Sequence, residues 1–74
     1  MWYDFRWIDQ NESAIGDHRV STDECEWVVT RYKPAHLGER FVVNGQTKRG
    51  RNIRVVFEMD DEMTVFVITA YPVK

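Results

Sequence analysis

Tyr3, Phe5 and Trp7 alternate with Trp2, Asp4 and Arg6 at the start of the chain. That period of two predicts a half-buried first strand over residues 2–7. The pattern then changes. Asp9 with Glu12 three residues on reads as an N-cap opening a short helix through Ala14 and Ile15, which Gly16 closes. A second helix is better specified. Ser21 and Glu24 form a capping-box pair, and Val20 and Cys25 flank them as a hydrophobic staple. Cys25, Val28, Val29 and Tyr32 then follow the i, i+3, i+4, i+7 spacing of one apolar face. Pro34 forbids continuation much beyond Arg31, which leaves KPAHLGE (33–39) as a loop.

From Arg40 onward the period is two again. RFVVNGQT (40–47), NIRVVFEM (52–59) and EMTVFVITAY (62–71) are rich in β-branched and aromatic residues, and KRGR and DD separate them with turn compositions. The dipeptide Asn44-Gly45 is a hairpin signal. Its return strand, Gln46 to Arg51, would have nothing to bury, so Gly45 reads instead as the mark of a bulge. The order is therefore β-α-α-β-β-β in a single domain over residues 1–74. The expected fold is an α+β two-layer sandwich, an antiparallel meander with both helices on one face. In the central strand Ile53, Val55 and Phe57 share the buried face, leaving Arg54, Val56 and Glu58 on an open one. The last strand is ambiguous, because Val65 and Val67 compete with Phe66 and Ile68 for the interior, and the outcome decides whether Tyr71 shares a face with Arg54.

Size and composition narrow the setting. A domain of 74 residues buries only about 60% of its unfolded surface, which makes help from a partner chain plausible. One cysteine excludes an internal disulfide and fits a reducing, cytoplasmic location. The first ten residues mix two acids and a base into the apolar run, unlike a signal peptide, and no apolar run reaches membrane-span length. Net charge is −2, yet residues 31–54 hold seven bases against one acid. That segment makes a local positive field inside an acidic chain.

The candidate chemistry lies in that segment. No metal is expected, since His18 and His36 fall in different loops and the acids of DDE (60–62) lack the spacing of a calcium loop. No cofactor motif is present, and Cys25 sits on a core face where a thiol is inert. Lys48, Arg49 and Arg51 surround Gly50 at a hairpin tip, which reads equally as a solvated turn or as a place where phosphate binds. Arg54, inside a strand beside Arg40, is better placed to hold a phosphate. His18 between the helices and Tyr71 at the end of the last strand are the proton-transfer candidates. Each also has a structural reading, as a hydrogen-bond post and a core-closing ring respectively.

FRW (5–7), N-x-x-x-I-x-x-H-x-V-S (11–21), RFVVNGQT (40–47) and RNIRVVFEMDDEMTVFVITAYPV (51–73) together make the chain resemble the BrnT-like toxins, a branch of the RelE-type ribonuclease toxins of bacterial toxin-antitoxin pairs. The resemblance implies a RelE-like fold and a metal-independent endoribonuclease that binds RNA on its sheet face and is neutralised by a cognate antitoxin protein. It also implies that Arg40 and Arg54 contact phosphate while His18 or Tyr71 handles protons. Typical members carry a lysine and two arginines where this chain has Asn11, Gln46 and Tyr71. The alternative is a catalytically silent module of the same fold that binds a protein partner, or RNA without cleavage.

Overall fold

The computed structural model describes residues 3–73 and has the α+β architecture expected, with one more strand. β1 (Asp4–Phe5) is followed by α1 (Asp9–Gly16) and α2 (Thr22–Arg31). β2 (Ala35–Leu37), β3 (Arg40–Gln46), β4 (Asn52–Met59) and β5 (Thr64–Pro72) complete the chain. They form one mixed sheet in the order β1-β5-β4-β3-β2, antiparallel except where β1 runs parallel to β5. Trp2, expected on the outer face of the first strand, lies outside the described residues.

One core lies between the sheet and both helices. Ile15 of α1 and Cys25, Val28 and Val29 of α2 close against Val43, Ile53, Val55, Phe57, Val65, Val67 and Ala70. The predicted inward face of β4 is correct, as is the choice of Asn44-Gly45 as strand rather than turn. The capping box at Ser21 is also present, with the Glu24 N–H donating to Ser21 Oγ at 3.1 Å and the Ser21 N–H to Glu24 Oε1 at 3.0 Å. Val20 and Cys25 are both buried, as a staple requires.

Four expectations need correction. The segment 33–39 is not all loop, because Ala35 to Leu37 pair with β3 and a turn through Gly38 (φ 63) reverses the chain. These residues are exposed, so no apolar pattern announces the strand. Second, α1 is capped one residue earlier than Asp9. Ile8 is the N-cap, and the buried Asn11 side chain accepts from the Ile8 N–H at 2.7 Å and donates to Arg6 O at 3.0 Å. A buried amide serves here because its oxygen and its NH2 satisfy one backbone donor and one backbone acceptor at the start of the helix.

Third, the chain reverses after α1 at Arg19 and not at Gly16. Arg19 adopts φ 59, and the Val20 N–H reaches Ile15 O at 3.1 Å. Fourth, Gly45 is not a bulge. It pairs with Ile53 in unbroken register, and a Cβ there would fall inside the Tyr32 ring. Tyr32 is accordingly not a core residue of α2. It is the extended C-cap, about two-fifths exposed, with its hydroxyl donating to Gln46 O at 3.3 Å. The bulge lies instead opposite the Val56–Phe57 step of β4, where Val56 pairs with Thr69, Phe57 with Val67, and Ile68 is the extra residue.

Two predictions follow from this packing. Gly45→Ala should destabilise the fold by about 1–3 kcal/mol in urea unfolding, since the ring must be displaced. In a Tyr32→Ala background the same substitution should cost nothing or stabilise slightly. The Cys25 thiol is raised to about 12, first by burial and then by Glu24 and Glu26. It should therefore resist a thiol reagent at pH 8 in the native protein and react fully once urea unfolds the chain.

Candidate RNA-binding face

The bulge determines which side chains meet on the open face of the sheet. Without it, strict alternation along β5 from Val65 and Val67 would carry Tyr71 into the core. The extra residue reverses the parity, so that Ala70 is buried opposite Val55 and Tyr71 stands outward opposite Arg54. Asn44 of β3 lies on the other side of Arg54 in the same register. A row Asn44–Arg54–Tyr71 thus crosses three strands, about 10 Å wide at the usual spacing between strands.

The row is organised through polar contacts. Arg54 Nε donates to Asn44 Oδ1 at 2.8 Å, and the guanidinium carbon lies 5.9 Å from the centre of the Tyr71 ring. Among the described residues Arg54 makes no ion pair, so its charge is not cancelled by a neighbouring carboxylate. His18 extends the row, with its ring 5.8 Å from that of Tyr71 and inclined at 62°. A cation, a phenol and an imidazole are therefore contiguous on one surface.

His18 is far from the sheet in sequence, and Arg51 helps to hold it. From just before β4 the Arg51 guanidinium donates to Arg19 O at 2.7 Å and His18 O at 3.1 Å, with Glu24 3.6 Å away. These contacts tie down the turn that contains the left-handed Arg19. Arg51 thus acts as a strut behind His18, whatever its long-range charge contributes.

The other expected residues lie elsewhere. Arg40 shares the outer face but begins β3, four residues before Asn44, and lies beside Glu58 of β4 at 3.6 Å. That is about 13 Å from Arg54 along the strand, too far for both to hold one phosphate. Lys48 and Arg49 line a groove of about 580 Å³ between the hairpin tip and the start of α2, with Trp27 at its floor. Lys48 Nζ lies 6.0 Å from the Trp27 ring centre, and the Arg31 guanidinium carbon covers the same ring at 3.4 Å. The basic segment is thus divided among several surfaces and does not form one patch.

Of the three positions where cations were expected by resemblance, only Tyr71 belongs to the row. Asn11 is buried in the α1 cap, and Gln46 Nε2 donates to Gly50 O at 3.1 Å within the hairpin turn. Next to Arg54, a hollow of about 400 Å³ is lined by Tyr32, Asn44, Gly45, Gln46, Asn52 and Val73 together with Arg54 itself. Asn44 and Asn52 were not singled out from the sequence. Their outward positions in the alternation of β3 and β4 were the only available signal. Among the described residues no three His, Cys, Asp or Glu side chains are grouped as metal ligands would be.

A family model described as "Domain of unknown function (DUF4258)" matches residues 23–72, from the first turn of α2 to the end of β5. The matched span holds Arg40, Arg54 and Tyr71 and leaves out His18. No curated protein and no solved structure matches the chain. Because the match covers more than half of its length, the chain belongs to the DUF4258 family.

Proposed function

We propose that this protein is a small toxin-like, metal-independent endoribonuclease of the RelE type, held in check by an antitoxin protein in a bacterial toxin-antitoxin pair. The observation that carries the reading is that Arg54 and Tyr71 pair on the open sheet face and the His18 ring, from the α1–α2 turn, lies against Tyr71. RNA supplies its own nucleophile, the ribose 2′-hydroxyl. His18 and Tyr71 provide the base that removes its proton and the acid that protonates the leaving 5′ oxygen. As the 2′ oxygen bonds to phosphorus and the 5′ oxygen departs, charge builds on the non-bridging oxygens, where the unpaired Arg54 stabilises it. The products are a 2′,3′-cyclic phosphate and a 5′-hydroxyl. Arg40, Lys48 and Arg49 add sequence-independent attraction for the backbone.

The second reading, a silent module that binds a protein partner or RNA, is favoured by the structural employment of Asn11 and Gln46. Only one guanidinium then remains in the row. Incubation of the pure protein with single-stranded RNA in EDTA separates the two readings. Cleavage to cyclic-phosphate ends is expected, lowered about 10²- to 10³-fold by Arg54→Ala and about 10²- to 10⁴-fold by His18→Ala. Intact RNA after incubation with a folded wild-type protein would contradict the nuclease and favour the silent module.

A further inference from the structure

We infer that the hollow beside Arg54 is a nucleobase subsite that selects adenine, an inference that rests on the RNA reading above. Gln46 pairs with Asn52 one step along from the Asn44–Arg54 pair, so three amides and a guanidinium form a square on the outer face of β3 and β4. Side-chain amides offer adjacent donor and acceptor atoms, the pattern that hydrogen-bonds bidentately to a base edge. In Asn44 the Oδ1 is taken by Arg54, and in Gln46 the Nε2 is taken by Gly50 O. The Asn44 Nδ2 and the Gln46 Oε1 remain to point at a ligand.

Asn52 is the one complete amide. It is exposed, and its side chain makes no hydrogen bond among the described residues. Tyr32 borders the hollow from the other side of β3, with its ring where a Gly45 side chain would point beside the buried Ile53, so recognition falls to the amides. Adenine fits this set best among the bases. Its 6-amino group is flanked by acceptors at both N1 and N7, so either edge meets an amide. A phosphate on Arg54 would place the attached nucleotide's base within reach of the square. Tyr71 and His18 lie on the opposite side of Arg54, toward the neighbouring ribose.

The test uses binding, so that cleavage is not needed. Short 2′-O-methyl homopolymers of adenosine, uridine and cytidine lack the nucleophile and report affinity alone. Wild-type protein should bind the adenosine polymer about tenfold more tightly than the other two. Asn52→Ala should abolish that preference while leaving the salt dependence unchanged. Arg54→Ala should weaken all three alike and reduce the salt slope by about one contact. Equal binding of the three by wild type, or a preference that survives Asn52→Ala, would overturn the subsite and leave the RNA reading standing. Failure to bind any of them would overturn the RNA reading and the subsite with it.

Discussion

One extra residue in β5 governs which side chains meet on the open face of the sheet. The sheet has helices on a single face, so each strand must hold to a strict inward and outward alternation, and a slip of one residue exchanges the two sets. Ile68 makes that slip locally. Before it, Val65 and Val67 fill the core. After it Ala70 does, and Tyr71 turns outward to meet Arg54. The same device that lets a long strand bend over the helices re-aims a tyrosine toward the open face.

Arg54 and His18 are brought to that tyrosine by different means. Arg54 comes by register, since β3, β4 and β5 pair so that Asn44, Arg54 and Tyr71 fall in line. His18 comes by tertiary tethering. Arg19 closes α1 in a left-handed conformation that is unfavourable for a residue with a Cβ, and Arg51, just before β4, reaches across to hold the carbonyls of that turn. One arginine of the basic segment is thus engaged in holding the fold, while another, Arg54, makes no ion pair among the described residues.

Much of this was legible from local pattern. The inner face of β4, the capping box of α2 and the refusal of Asn44-Gly45 as a turn all follow from periodicity and side-chain chemistry within a few residues. What failed depended on distant partners. β2 has no apolar alternation because it is an exposed edge that exists through its backbone pairing to β3. Gly45 is a glycine because Tyr32, thirteen positions earlier in the sequence, occupies the place of its side chain. Asn11 stood out only as a place where the resembled family carries a cation, and it is a buried cap. For the site, Arg54 was readable as a cation set in a strand, while the position of Tyr71 hung on a bulge that no residue in FVITAY marks. The basic run looked like one patch in sequence, yet alternation sends neighbouring side chains to opposite faces, and Trp27, Glu58 and the α1–α2 turn each claim a member.

The claim that most needs testing is that the Asn44–Arg54–Tyr71–His18 row, and not the groove at the hairpin tip, is where ligand binds. Titration of isotope-labelled protein with a short cleavage-resistant RNA, followed by NMR, tests it directly. The account predicts that the largest shifts fall on Asn44, Asn52, the Arg54 Nε–H, Tyr71 and the His18 ring, with little change at Arg40. Shifts centred on Trp27, Lys48 and Arg49, with Arg54 and Tyr71 unmoved, would contradict it.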